Sequence, residues 1–236
     1  MSKEENISNP DLSGQGTLYV VATPVGNLED ITYRAARILN EVQLIAAEDT
    51  RRAKILLARY GIKTHLTSFF SAAQKRQAPA LVAHMLDGES LALITESGTP
   101  GLSDPGHYLV AKAVEAGIRV VPIPGPSAAL AALMVSGLDS YAFTFYGFIP
   151  PKGGKRNRAL NAIAALPHPV ILYESPHRIR RTLEDLLARL GPRRVFIARE
   201  MTKLHEEFIC TTLDKAIAHF SEIEPRGEFT LIIMNS

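Results

Sequence analysis

The sequence predicts an α/β protein of two domains, and three observations carry that reading. Short apolar, β-branched runs alternate with segments of helical period over residues 17–122. Those runs are continuous rather than alternating, the pattern of a parallel sheet covered on both faces. The chain has 236 residues, 46% of them hydrophobic, which suffices for two modest cores.

The elements follow in order. Residues 17–23 (TLYVVAT) form the first strand. Asp30 is placed to cap a helix carrying Ile31, Ala35, Ile38 and Leu39 on one face. Residues 42–47 are the second strand. Thr50 opens a helix with Ile55, Leu56 and Arg59, which stops at Gly61, where a left-handed residue costs little. Residues 64–69 are a third strand, followed by a helix to Asp87 and Gly88. The fourth strand is 90–95 (SLALIT), a helix covers 107–116 up to Gly117, and 118–123 is the fifth strand.

Pro122, Pro124 and Pro126 then alternate with small residues before an Ala-rich helix. Each proline fixes φ and removes a donor, so the stretch reads as a stiff junction between domains. The expected division is a disordered tail over 1–16, an N-terminal domain over 17–123 and a C-terminal domain over 124–236. In the latter, 141–148, 169–174, 193–199, 206–211 and 229–234 read as strands, with helices over 155–166, 176–190 and 213–220. Only six residues separate the strands ending at Arg199 and beginning at Glu206, which suggests an antiparallel hairpin and a mixed second sheet.

Composition excludes several classes. A single Cys leaves no disulfide framework and no Cys-rich metal site. The polar first 16 residues lack the apolar core of a signal peptide. The 19-residue uncharged run over 120–138 is broken by Pro122, Pro124, Gly125, Pro126 and Gly137, so it is not a membrane span. A soluble, cytoplasmic protein is expected. Around Gly154 and Lys155, Ile149 and Arg156 stand where a phosphate-binding loop needs a glycine and a hydroxyl. No G-x-G-x-x-G follows the first strand, position 209 breaks the H-E-x-x-H pattern begun at His205, and the seven His lack ligand spacing. No metal site is expected.

Three loops beyond strand ends carry the functional signal, since α/β sheets place function there. The first is ATPVGNLED after strand one, where Pro24 and Gly26 force a tight turn. The second is ESGTPGLSDPG after strand four, eleven residues with three Gly and two Pro. That is long for a strand–helix connection, and the mixture of glycine freedom and proline rigidity suits a preorganised small-molecule cradle. The third is PIPGPSA at the junction, where Ser127 is placed to cap the next helix.

With AAEDTRR, FYGFIPPKGGKR, LYESPHRI and AREMTKLHEE, these loops run in one order from Thr17 to Phe229, and together the sequence resembles the bacterial ribosomal RNA small-subunit methyltransferase I family. The resemblance implies the tetrapyrrole-methylase fold, S-adenosylmethionine bound in a cleft between two α/β domains, and a homodimer that 2′-O-methylates a cytidine of the 16S decoding region, in the assembled 30S subunit. By position it implies cofactor contacts from Pro24, Gly98, Thr99, Pro100, Gly101, Ser127 and Ala128, and from Tyr173, Glu174 and the backbone around Ala198. The chain departs from the family pattern at SFFSAAQKRQ (68–77), which lacks a His- and Asn-containing stretch, and it stops soon after the last strand.

Methyl transfer to a ribose hydroxyl needs positioning and a group to take the proton. Glu48, Asp49, Glu96, Glu174, Glu200 and Lys203 all remain candidates, with Glu174, Lys203 and Asp49 put forward. Helix capping for Asp49 and ion pairing for Glu200 and Lys203 are the structural alternatives. The net charge is only +2, yet residues 151–203 hold twelve Lys or Arg against four acids, a local +8 that leaves −6 elsewhere. Lys152, Lys155, Arg156, Arg158 and Arg178 are the expected RNA contacts. A small tetrapyrrole acceptor and a non-catalytic ribosome-assembly module are the competing functions.

Overall fold

A computed structural model describes residues 14–138 and 141–234. Most of the expected N-terminal tail, residues 1–13, lies outside the described residues. Gly16, at its end, is held in place: its N–H donates to the Met85 carbonyl at 2.8 Å, and a Cβ there would collide with the Glu89 carbonyl.

The chain divides into two units. The first contains residues 14–24 and Leu28–Pro126; the second contains Val25–Asn27 and the chain from Ser127 onward.

The first unit is a five-stranded parallel sheet in the order β3-β2-β4-β1-β5. Its strands are β1 (Thr17–Val21), β2 (Leu44–Ala47), β3 (His65–Ser68), β4 (Leu91–Ile94) and β5 (Arg119–Ile123). All four residues of β4 are buried, as an apolar run in a sheet covered on both faces requires. Helices α1 (Tyr33–Glu41) and α2 (Thr50–Arg59) cover one face, where Ala35, Leu39 and Leu57 meet Val21, Ile45 and Ile94. Helices α3 (Gln74–Leu86) and α4 (His107–Glu115) cover the other, where Leu81, Met85 and Leu109 meet Leu18, Ala46 and Leu93.

Two helix starts differ from expectation. Asp30 does not cap α1, because Leu28–Asp30 closes into a 3-10 turn first. The helix begins at Tyr33, and the Thr32 hydroxyl accepts from Ala35 N–H at 3.0 Å. In α2 the cap is Asp49, one residue before Thr50; its Oδ1 accepts from Arg51 N–H at 2.8 Å. Gly61 and Gly117 do end their helices at φ of 67° and 73°.

The second unit is a mixed sheet in the order β6-β7-β10-β8-β9. Its strands are β6 (Thr144–Phe148), β7 (Val170–Glu174), β8 (Arg194–Arg199), β9 (Glu207–Thr212) and β10 (Phe229–Ile233). Only β6 and β7 pair in parallel; β8 and β9 form the expected antiparallel hairpin. Helices α6 (Gly153–Ala164), α7 (Ile179–Leu190) and α8 (Leu213–Glu222) enclose one core around Leu172, Leu183 and Phe220. The apolar helix α5 (Ala128–Val135) packs Ala129 and Ala132 against Ile171, Phe196 and Ile232 on the opposite face. The uncharged run over 120–138 is therefore shared between β5 and α5, and among the described residues no helix is long and apolar enough to cross a membrane.

Candidate functional site

In the first unit the carboxyl ends of β1, β2 and β4 converge, as a parallel sheet dictates. Thr23 and Gly98 exchange two backbone hydrogen bonds, of 2.9 and 3.0 Å, pinning the first loop to the second. Pro24 is buried just beyond this bridge. Thr99 donates its hydroxyl to the Pro126 carbonyl at 3.2 Å and accepts at its own carbonyl from Leu102 N–H, closing a tight turn around Pro100 and Gly101. Gly106 closes the loop at φ 145°, where a Cβ would stand 3.0 Å from Leu93, and its N–H donates to the buried Gln74 side chain. The eleven-residue segment is thus a rigid shelf.

An acidic group stands on this shelf. Asp104 is half-buried, and burial first, then the neighbouring charges of Glu48 and Glu96, push its carboxyl up to about 7; the Thr95 hydroxyl, donating to it, acts the other way. Glu48 is also raised, chiefly by burial and further by Glu96 and Asp49, against a bond from the Glu96 backbone. Sequence reasoning missed Asp104. Its signal was present, an acid inside the longest of the three loops, but its neighbours Glu48 and Glu96 come from a different strand end and from the loop's own start. Asp49, by contrast, is occupied as the α2 cap and in a 3.1 Å pair with Arg51, and Arg52 pairs with Glu96 at 2.8 Å.

In the second unit, Ser127 occupies the position before α5 but does not cap it. Its Oγ is buried with no partner among the described residues. The phenol of Tyr173 takes the capping role instead, accepting from Ala129 N–H at 3.1 Å. Tyr173 is fixed edge-on by Phe145 and Phe148, and Ala128 is half-buried at the helix start. Ala198 lies inside β8, paired to β10 and β9 at once, so the ladders consume the local backbone groups and its methyl packs against Ala129 and Met201.

Glu174, put forward as a base, and Arg156 and Arg178, expected as RNA contacts, belong to one largely buried network. Arg156 is 3% exposed. It donates to Asp185 at 2.6 Å, to the Pro150 carbonyl at 3.2 Å and to the Thr182 hydroxyl at 3.0 Å. Thr182 donates in turn to Glu174 at 2.6 Å. Glu174, 2% exposed, also accepts from Ser175 N–H at 2.8 Å and from Arg178 at 3.2 Å, while Arg178 donates to the Ile149 carbonyl as well. Arg156 is therefore not an RNA contact, because its guanidinium points into the core and has no face left for a phosphate. Arg178 is largely committed in the same way. Glu174 is no base either: the Ser175 amide, the Thr182 hydroxyl and the Arg178 guanidinium engage both its oxygens in the β7–α7 turn, away from solvent.

The remaining basic residues behave differently. Lys152 precedes α6, and Lys155 and Arg158 lie on its first turns, all exposed. Lys155 and Arg158 are helical, and their three-residue spacing puts them on one face.

The loop after β8 holds Lys203. Its Nζ donates to Glu200 at 2.8 Å and Glu228 at 2.9 Å. Burial lowers its pKa, but the two carboxylates outweigh that and leave it raised, the ion-paired alternative for this residue. Burial raises Glu200 while Lys203 and the Glu228 N–H bring it below the usual carboxylate range. Glu200 and Thr202 sit at φ of 50° and 64°, strain of order 1–3 kcal/mol each. Gly227 and Gly26 make room: a Cβ on Gly227 would stand 2.5 Å from Glu200 Oε1, and one on Gly26 would stand 2.6 Å from Thr202 Oγ1. Among the described residues no group of three or more His, Cys, Asp or Glu is arranged to hold a metal.

A parallel unit with long Gly- and Pro-rich loops at its carboxyl edge, followed by a mixed-sheet unit, matches the model of the Tetrapyrrole (Corrin/Porphyrin) Methylases over residues 17–217. The chain is 46% identical over 224 residues to the Ribosomal RNA small subunit methyltransferase I of Escherichia coli O157:H7, covering 94% of this chain and 78% of that one. It is 44% identical over 218 residues to the protein of that name from Thermotoga maritima, covering 92% and 98%. The chain belongs to the tetrapyrrole methylase family, in the branch formed by these ribosomal RNA small subunit methyltransferases I. The fold is similar to that of uroporphyrin-III C-methyl transferase from Thermus thermophilus solved with S-adenyl homocysteine, at a TM-score of 0.68 and 21% identity over 93% of this chain and 97% of that one. Diphthine synthase gives a TM-score of 0.74 at 14% identity, over 93% and 90%. At such identities the likeness is one of fold.

Proposed function

We propose that this protein is an S-adenosylmethionine-dependent methyltransferase that 2′-O-methylates a cytidine ribose in the decoding region of small-subunit (16S) ribosomal RNA. One observation carries the substrate side of the reading. Lys152, Lys155 and Arg158 crowd the N-terminus of α6, where the helix dipole already favours anions and penalises cations by about 0.3–1 kcal/mol each. Positive charge placed against that gradient makes an anion-binding surface. The relatives' names favour RNA as the source of that anion.

The residues present fit the cofactor. Ser127 Oγ is a buried hydroxyl in need of a partner, and the turn through Thr99, Pro100 and Gly101 offers rigid backbone, Gly101 at φ 82°. Pro24 and Gly98 brace that turn, while Ala128 and Tyr173 shape the start of α5. S-adenosylmethionine supplies an electrophilic methyl group on a sulfonium. The chain's own part is to position the ribose and receive its proton. Asp104 is suited to the second task, because a base is most effective when its pKa lies near the working pH.

The exposed apolar side chains Leu130, Met134 (83% exposed) and Val135 of α5 support a homodimer. An assembled 30S subunit as substrate, met in the cytoplasm, completes the reading. The test is methyl transfer to 30S subunits, to free 16S RNA and to a porphyrinogen, over a pH series. Transfer to RNA is expected, rising with pH through about 7 to a plateau above it, with Asp104→Asn slower by about a hundredfold or more. Transfer to the porphyrinogen alone sinks the reading.

A further inference from the structure

The first unit carries its own charge polarity. From Thr50 to Leu86 there are seven Lys or Arg and no Asp or Glu, although the unit as a whole is nearly neutral. This stretch comprises α2, β3 and α3, and it wraps around one edge of the sheet, because β3 is the terminal strand. Along that strand runs a groove of about 890 Å³. Lys63, Thr64 and residues of β3 line it on one side, and Gln77 and His84 of α3 on another. The single acid in its lining, Glu89, is paired with His84 at 2.8 Å. Gln77 Oε1 is buried there without a partner among the described residues. Lys63, Lys75 and Arg76 are exposed and make no ion pair among the described residues.

The groove follows β3 from its amino end to its carboxyl end, and the neighbouring strand, β2, leads into Glu48 and the Asp104 shelf. Four strand residues span about 13 Å, room for a phosphodiester segment rather than a single anion.

We infer that the β3 edge groove is a second RNA-binding track, on the first unit, which holds the ribose-phosphate backbone flanking the acceptor nucleotide. This inference rests on the RNA reading above and adds a binding region separate from α6. The acid-free stretch removes the like-charge repulsion that a polyanion would meet elsewhere on the unit, and the hydroxyls and amides of Thr64, Thr67, Ser68 and Gln77 supply uncharged hydrogen-bonding groups beside the cations.

The test is the charge-reversed full-length variant Lys63→Glu/Lys75→Glu/Arg76→Glu. Binding to 16S RNA and to 30S subunits is followed by filter retention as salt is varied, with S-adenosylmethionine binding, thermal unfolding and sedimentation measured alongside. RNA affinity should fall by at least about tenfold at low salt. The log–log salt slope should flatten by about 2, at roughly 0.7 for each single-strand phosphate that the variant no longer neutralises. Cofactor affinity, melting and sedimentation should match the wild type. Unchanged RNA affinity and slope overturn the inference while leaving the function intact if the wild type still methylates RNA. A variant that instead changes its oligomeric state at unchanged RNA affinity also overturns it, by showing the groove to be an interface between copies. A wild type that neither binds nor methylates RNA fails the underlying reading itself.

Discussion

Replacing Arg156 by Ala separates structural from RNA-binding charge in the second unit. Its guanidinium is withdrawn from three acceptors, Asp185, Thr182 and the Pro150 carbonyl. Removing one partner of a buried ion pair costs about 3–5 kcal/mol. The Asp185 side chain is 35% exposed, so its stranded carboxylate regains water and the cost of breaking the pair falls below that range. Thr182 still has Glu174 to bond. The expected total is about 2–4 kcal/mol, a large share of the 5–15 kcal/mol typical of whole domains. Chemical denaturation, followed at a probe in the second unit, should therefore show a much earlier transition for Arg156→Ala. Lys155→Ala and Arg158→Ala on the exposed face should stay within about 0.5 kcal/mol of wild type and weaken RNA binding instead. An Arg156→Ala protein of wild-type stability, with RNA affinity reduced as far as Lys155→Ala reduces it, would refute the burial argument.

Asp104→Asn tests the acidic shelf by stability as well as by rate. The native carboxyl titrates near 7, above the unfolded value near 4, so the folded state keeps its proton longer and stability is lost as pH rises between the two values. The Asn variant lacks that loss, so its melting advantage over wild type should widen from pH 4 to pH 7 and then level off; a constant or shrinking advantage contradicts the shift. Gly227→Ala should collide with Glu200 and release Lys203, lowering stability by more than about 1 kcal/mol and loosening the 200–206 loop in hydrogen exchange; normal protection there would show the loop to be adaptable. Asp49→Ala should cost about 1 kcal/mol through removal of the α2 cap, read as a drop in melting temperature, and reveal no larger catalytic effect than its loss of stability explains.

Elements with strong local signals were legible from sequence. Strands such as LALI are apolar throughout and cannot be anything but interior, and Gly61 and Gly117 stop their helices at positive φ as glycine permits. Helix starts were less so, because Asp30 and Thr32 are both good caps and the choice depended on whether Leu28–Asp30 closed into a turn. The basic segment was legible as a sum but not residue by residue. Arg156 lies one position from Lys155, and only the 100° step of the helix decides that one faces the core and the other solvent. Glu174 and Arg178 shared a motif with no hint that Thr182 and Arg156 would close the network around them. Asp104 was not legible because its carboxyl is perturbed by Glu48, which lies 56 residues earlier in the chain. The second basic stretch was hidden for the same reason as the first: the acids that cancel it sit elsewhere on the same unit.

Nucleotide-resolution mapping of ribose methylation tests the central claim most directly. Small-subunit rRNA from cells lacking the protein should miss one 2′-O-methyl group, on a cytidine of the decoding region. The purified protein with S-adenosylmethionine should restore that mark alone on those 30S subunits, and Asp104→Asn should restore it far more slowly. An unchanged methylation map in the deleted cells, with no transfer in vitro, would contradict the account.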